Sequence, residues 1–191
     1  MRELTAYGHS WIAGDGASHP TRRLVEVVTR RLGLTAINLG VGGSSSYDIA
    51  ELLSREKASP SRLYLVMTGL NDARLHGVSS GALESYAAAL RAIFDAIGRA
   101  SPVAQTIAVE QPHLVDYSRH APHDRGSDEI LDTYNEQLRA VARERPRVVL
   151  ATVSGWDPET MLAADTVHPN DAGHAQVAGA VVRAADAGTP G

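Results

Sequence analysis

The sequence predicts an α/β protein in which a parallel sheet of five strands lies between two layers of helices. Short apolar segments alternate along the chain with longer helical ones, and this alternation is typical of a parallel sheet. Residues 63–67 are continuously apolar, as expected for a strand that is covered on both faces. Residues 20–32 are predicted to form a helix, because proline at residue 20 is typical of a helix start and Gly33 is typical of a helix end.

The other elements follow in order along the chain. A short apolar strand comes first, and the second strand ends in a glycine-rich turn at residues 40–43. The third helix is long and rich in alanine, and a polar loop at residues 111–127 separates the fourth strand from the fourth helix. The predicted strands cover residues 4–7, 36–39, 63–67, 106–109 and 148–151. The predicted helices cover residues 20–32, 47–55, 81–100, 128–143 and 170–185.

The composition narrows the class of protein. With 43% hydrophobic residues and no repeat or linker, residues 1–191 are expected to form a single domain. The net charge is −4, and Lys57 is the only lysine among scattered arginines, so we expect neither nucleic acid nor an anionic membrane as a partner. The sequence has no signal-peptide pattern and no apolar stretch of membrane-spanning length, which favours a cytoplasmic protein without a membrane span.

Two short motifs, far apart in the chain, supply a serine and a histidine. Ser10 ends the motif GHS after the first strand, and His168 lies in the motif DTVHP before the last helix. A serine becomes a good nucleophile when an imidazole removes its proton, and a carboxylate orients that imidazole. Asp165 can bond His168 directly, because Pro169 keeps His168 out of a helical conformation. Taken alone, however, Ser10 is more often a turn residue or a helix cap, and capping by Asn170 would leave His168 on the surface.

Candidate residues follow the ends of the first three strands. Ser10 follows the first strand, Gly43 the second and Asn71 the third. In open α/β sheets, ligands bind outside the carboxyl ends of the strands, so these residues are expected to share one crevice. Taken singly, Gly43 and Asn71 would be turn residues. The glycines at residues 40–43 lack the spacing of a dinucleotide-binding site.

Four motifs together resemble the four sequence blocks of the SGNH/GDSL hydrolase family, in the order and at spacings that the family allows. They are GHS, NLGVGG, GLND and DTVHP, at residues 8–10, 38–43, 69–72 and 165–169. The resemblance implies a flavodoxin-like three-layer fold. It also implies a hydrolase that cleaves esters, thioesters or carbohydrate-linked acyl groups, has a small-molecule acyl ester as its substrate, and uses no cofactor and no metal.

The resemblance implies a role for each matching residue. Ser10 matches the nucleophile, His168 the general base and Asp165 the acid that orients the base. When a serine attacks an ester, negative charge collects on the carbonyl oxygen, and fixed hydrogen-bond donors stabilise that charge. The donors implied for this oxyanion hole are the amides of Ser10 and Gly43 and the side-chain amide of Asn71. A covalent step would fall to serine in any case, because the chain has no cysteine.

The chain departs from the family pattern at His9, where the family usually has aspartate. Asp165 can still orient His168, because the aspartate replaced by His9 is not the acid of the triad. The exchange replaces an anion, which only accepts hydrogen bonds, by a ring that is either neutral or charged. We therefore expect the packing of the nucleophile turn, or the pH profile, to differ from that of relatives.

Several features leave alternatives open. The loop at residues 111–127 is a candidate lid, and a metal site could also explain its polar side chains, although a flexible polar loop fits their spacing better. These side chains are His113, Asp116, His120, His123 and Asp124. Trp11 and Trp156 are candidates either for an acyl pocket or for the core. Beside the serine esterase, an acyltransferase with the same residues and a catalytically silent binding domain remain as alternatives, and the oligomeric state is open.

Overall fold

Five parallel strands form one sheet in the computed structural model, which describes residues 2–187. The order of the strands across the sheet is β2-β1-β3-β4-β5. The strands are β1 (Glu3–Gly8), β2 (Thr35–Gly40), β3 (Leu63–Met67), β4 (Gln105–Val109) and β5 (Val148–Ala151). Each predicted strand is present, with bounds within one residue of those expected, so the predicted parallel α/β sheet is confirmed.

Helices cover both faces of this sheet. The short helices are α1 (Ser10–Ala13), α4 (Leu70–His76) and α7 (Pro158–Met161). The longer helices are α2 (Leu24–Leu32), α3 (Ser46–Arg55), α5 (Ser80–Ala100), α6 (Asp128–Arg143) and α8 (Asp171–Ala187). Helix α2 packs against α8 in one layer, while α3 and α6 pack against α5 in the other. The sheet is therefore the middle of three layers, as predicted, and all five residues of β3 are buried.

The helix predicted at residues 20–32 is interrupted in the structure. Its first part is a 3₁₀ turn (Pro20–Arg22), and α2 begins only at Leu24 because Arg23 has an extended backbone. The amide of Leu24 donates to Nδ1 of His174 in α8, at 3.3 Å. The start of α2 is thus bonded to a neighbouring helix, which the local sequence pattern does not reveal.

The register of the strands brings their carboxyl ends together. Gly8, the last residue of β1, pairs with Gly40 on one side and with Met67 on the other. Parallel strands all end at the same edge of a sheet, so the segments that follow β1, β2 and β3 meet there. Among the described residues, no helix is both long and apolar enough to cross a lipid bilayer.

Candidate active site

Ser10 is the first residue of α1, which begins directly after β1. The helix ends at Gly14, whose left-handed backbone (φ 96°) allows its amide to donate to the carbonyl of Ser10. The first amides of a helix have no partner within the helix, so the amide of Ser10 makes no hydrogen bond within α1. The side chain of Ser10 is buried, with 6% of its surface exposed.

Asp165 and His168 form a hydrogen-bonded pair in the loop before α8. Nδ1 of His168 lies 2.6 Å from Oδ2 of Asp165. The other carboxylate oxygen, Oδ1, accepts the amides of Val167 at 3.0 Å and His168 at 2.9 Å. Burial alone would raise the pKa of Asp165, but these hydrogen bonds outweigh it and lower the pKa below its usual value. Asp165 is therefore ionised at neutral pH and lies within hydrogen-bond distance of the imidazole.

The loop that carries His168 packs directly on the segment that carries Ser10. Nε1 of Trp11 donates to the carbonyl of Val167 at 3.0 Å. At Gly16, a Cβ atom would lie 2.3 Å from the carbonyl oxygen of Pro169, so only glycine allows this approach. No hydrogen bond within 3.5 Å joins Oγ of Ser10 to the ring of His168 in the described part of the chain. Such bonds are often long without substrate and shorten when it binds.

The turn after β2 lies against the start of α4. Gly43 has a left-handed backbone (φ 78°), which favours glycine at this position. Nδ2 of Asn71 donates to the carbonyl of Ser44 at 2.9 Å, and Oγ of Ser44 donates to the carbonyl of Gly8 at 3.1 Å. An amide group has two hydrogens, so Nδ2 of Asn71 carries a second hydrogen besides the one that bonds Ser44.

Asp72, next to Asn71, has a structural role. Its carboxylate accepts the amide of Ser46 at 3.0 Å and the hydroxyl of Ser46 at 2.5 Å, at the start of α3. Burial raises the pKa of Asp72 despite these bonds. The contact ties α4 to α3 and so holds the neighbouring Asn71 in place.

His9 is fully buried and uses both ring nitrogens. Nδ1 accepts the amide of Trp11 at 3.3 Å and so caps α1, while Nε2 lies 3.2 Å from Oε1 of Gln111. These partners require a neutral ring with its proton on Nε2. The pKa of His9 is lowered to about 4, chiefly by burial and to a smaller extent by the nearby His168 and Arg74, although the bond to Gln111 opposes this shift. At neutral pH, His9 is thus a neutral ring whose Nδ1 accepts a hydrogen bond.

The buried, neutral state of His9 predicts a loss of stability in acid. The pKa of His9 is about 4 in the folded protein and about 6.5 once the ring is solvated in the unfolded chain, so the unfolded chain takes up a proton first as the pH falls. The stabilisation is complete above about pH 6.5 and decreases towards pH 4, by about 1.4 kcal/mol per pH unit. Urea unfolding of wild type and of His9→Asn between pH 8 and pH 4.5 measures this effect.

Asparagine is the matched variant because it can also cap α1 but does not titrate. Burial also lowers the pKa of His174. Because His174 is present in both proteins, its contribution to the pH dependence of stability cancels in the comparison. We expect the free energy of unfolding of His9→Asn to depend less steeply on pH than that of wild type. Equal slopes would contradict the assignment of a neutral His9.

The loop at residues 111–127 is held over this edge of the sheet by several contacts. The hydroxyl of Tyr117 donates to Oδ1 of Asp128 at 2.8 Å. Arg74, a buried residue of α4, donates to the carbonyl of Arg119, and its own carbonyl accepts the amide of Arg125 at 2.9 Å. The loop is thus attached both to α4 and to the start of α6.

Two histidines of this loop lie beside the candidate residues. Cε1 of His123 lies 4.0 Å from the position that a Cβ on Gly43 would occupy. Nε2 of His123 is buried and has no hydrogen-bond partner among the described residues. The ring centre of His120 lies 6.2 Å from that of His168. The sequence identified these histidines, but nothing in their spacing indicated that they would face Gly43 and His168.

The structure bears on two alternatives, a metal site in the loop at residues 111–127 and an acyl pocket beside Trp11 and Trp156. Within residues 2–187, no three histidine or acidic side chains are grouped so that they could hold a metal ion. His113 instead lies 2.8 Å from Asp132 in α6. Trp11 is completely buried and stacks on Trp156 with ring centres 5.4 Å apart. Trp11 is therefore a core residue and does not line an open pocket.

Comparisons with known proteins agree with the fold and the motifs. The GDSL-like Lipase/Acylhydrolase family model matches residues 6–176. The lipase/acylhydrolase from Enterococcus faecalis has 22% identity and a TM-score of 0.71, with 96% of this chain and 94% of that chain covered. The family 3 carbohydrate esterase from Clostridium thermocellum has 16% identity and a TM-score of 0.71, with 97% and 95% covered.

No curated protein sequence matches the chain. At identities this low, the likeness to solved structures shows the fold alone, so the family match carries the assignment. That match spans most of the chain and contains all four motifs at residues 8–10, 38–43, 69–72 and 165–169. The chain therefore belongs to the GDSL-like lipase/acylhydrolase family and is an ester-hydrolysing enzyme.

Proposed function

We propose that the enzyme cleaves a carboxylic ester or thioester through an acyl-enzyme on Ser10, with His168 as the general base and Asp165 orienting it. The observation that carries the proposal is the 2.6 Å contact between Asp165 and Nδ1 of His168, in a loop packed against the Ser10 segment. A proton on Nδ1, held by the carboxylate, leaves Nε2 of His168 as the basic nitrogen. This nitrogen can then accept the proton of the serine hydroxyl.

The proposed reaction proceeds in two halves. Oγ of Ser10 bonds to the carbonyl carbon while its proton moves to Nε2 of His168, which gives a tetrahedral intermediate. The intermediate collapses by breaking the bond to the alcohol or thiol, and this leaving group takes the proton from His168. Water then attacks the acyl-enzyme by the same route, so the acid is released and Ser10 regains its proton.

Three hydrogen-bond donors are proposed to stabilise the oxyanion. They are the amide of Ser10 at the start of α1, the amide of Gly43 and the second side-chain hydrogen of Asn71. The bond from Asn71 to Ser44 fixes the distance between α4 and the Gly43 turn, so the donors are in place before the substrate arrives. Such preorganised donors are worth more than mobile ones because they need no reorganisation as charge develops.

Hydrolysis is favoured over transfer to an alcohol or amine by the exposure of the base. The side chain of His168 is 21% exposed even though the loop at residues 111–127 lies over this edge. Water can therefore reach the acyl-enzyme beside the nitrogen that activates it. We propose no cofactor, and the substrate is a small-molecule ester.

Covalent labelling with an organophosphonate tests the nucleophile. The reagent attacks an activated serine, so we expect one label per wild-type chain and none on Ser10→Ala, as measured by intact-protein mass spectrometry. Ser54→Ala is the matched control, because Ser54 is exposed in α3 and bonds only the carbonyl of Glu51. A label on Ser10→Ala, or full esterase activity of that variant, would disprove the assignment.

A further inference from the structure

An apolar groove opens beside the turn that carries Gly43. Its volume is about 420 Å³, and it lies between the ends of β1 and β2 and helix α3. Its lining includes the side chains of Tyr7, Leu39, Val41, Ile49 and Leu52. We call it the Leu39 groove. Leu39 is 41% exposed and Val41 58% exposed, so this apolar surface is open to solvent. Cavities of this size and character are typical of small-molecule sites.

The Leu39 groove is continuous with the proposed oxyanion hole. Gly43 and Ser44 line the groove, and Ser44 is also the residue whose carbonyl accepts the hydrogen bond from Asn71. The carboxylate of Asp48, which also borders the groove, accepts the amide and the hydroxyl of Ser45, each at 2.7 Å. The carboxylate of Asp48 therefore has hydrogen-bond donors within the protein and does not require a polar ligand.

The position of His168 decides which part of an ester the groove can receive. The leaving alcohol must take a proton from His168, so it lies on the side of that residue. His168 lies three residues before the start of α8, which packs against α2 in one of the two helical layers. The Leu39 groove is bordered by α3, which packs in the other layer. With the carbonyl oxygen in the oxyanion hole, the acyl chain is the substituent that points away from His168 and towards the groove.

We propose that the Leu39 groove binds the aliphatic acyl chain of the substrate, so that the enzyme prefers medium-chain acyl esters to acetyl esters. This inference rests on the proposed serine-esterase function and adds the class of its acyl group. Acetate has no chain to enter the groove. Each methylene of a longer chain leaves water for apolar contacts with Leu39 and Val41, and this burial stabilises the bound ester.

Hydrolysis of p-nitrophenyl acetate and p-nitrophenyl octanoate by wild type and Leu39→Asp tests the proposal. We expect wild type to favour octanoate in kcat/KM by at least about tenfold, because each buried methylene adds several-fold in affinity. Leu39→Asp places a carboxylate in the groove and should lower kcat/KM for octanoate by about tenfold or more. The same substitution should change kcat/KM for p-nitrophenyl acetate by less than about twofold.

Two control variants accompany this test. Leu39→Met keeps an apolar side chain of similar volume and should keep the preference for octanoate. Val103→Asp adds the same charge at a residue that is 80% exposed before β4, at the opposite edge of the sheet, and should leave both rates unchanged.

An equal loss for both esters in Leu39→Asp, or no loss for either, would overturn the proposal. A wild-type enzyme that hydrolyses acetate as well as octanoate would also overturn it. Phosphonate labelling of Ser10 separates this failure from failure of the serine mechanism. If Ser10 is labelled while the chain-length preference is absent, the mechanism stands and the groove has no part in substrate binding.

Discussion

We expect Asp165→Asn to lower kcat for ester hydrolysis by up to about 10⁴-fold and to leave the fold intact. The asparagine oxygen can still accept the amides of Val167 and His168, as Oδ1 of Asp165 does, so the turn keeps its shape. The new amide, however, donates a hydrogen bond to Nδ1 of His168, whereas the carboxylate accepted a hydrogen bond from Nδ1. The ring then carries its proton on Nε2 and can no longer act as a base towards Ser10.

Steady-state kinetics and circular dichroism on the same sample measure this result. Asp95→Asn is a suitable control, because the side chain of Asp95 in α5 is 53% exposed and its partner Arg145 also pairs with Glu144. We expect that control to keep wild-type activity and His168→Ala to lose at least as much activity as Asp165→Asn. If Asp165→Asn keeps full activity, another group orients the imidazole.

Asn71→Ala should lower kcat by roughly 10²–10³-fold with a smaller change in KM, because the lost donor acts mainly when the oxyanion forms. The substitution also removes the hydrogen bond from Nδ2 to the carbonyl of Ser44. A purely structural role would lower the midpoint of urea unfolding and the fraction of folded enzyme. Active-site titration with the organophosphonate counts the folded sites, so kcat per labelled site separates the two roles. An unchanged kcat per site would rule Asn71 out as an oxyanion donor.

The sequence pattern predicts the loop at residues 111–127 but not the path that it takes. Its histidines are visible in the sequence, but their approach to Gly43 and His168 depends on contacts with distant residues. Arg74 donates to the carbonyl of Arg119 from α4, and Tyr117 bonds Asp128 at the start of α6. A loop without periodic structure takes its path from such tertiary bonds.

The short helices and the break before α2 were also not predictable from the sequence pattern. Helices α1 and α7 have four residues each and α4 has seven, which is too few for an apolar periodicity to appear. At the break, the amide of Leu24 bonds His174, a residue 150 positions away in the chain. Similarly, the neutral state of His9 is a consequence of its complete burial. None of these features is encoded by neighbouring residues alone.

The sequence by itself determined the α/β class, the five strands and the local geometry of Asp165 and His168. Apolar runs such as residues 63–67 must be buried, and a carboxylate three residues before a non-helical histidine can bond it within one turn. Only the tertiary structure decided how the ends of β1, β2 and β3 meet, that His9 is neutral, and that an apolar groove opens beside Gly43. The reason is physical: burial, strand register and the shape of a cavity are set by residues far apart in the chain, whereas turns and hydrophobic periodicity are set by near neighbours.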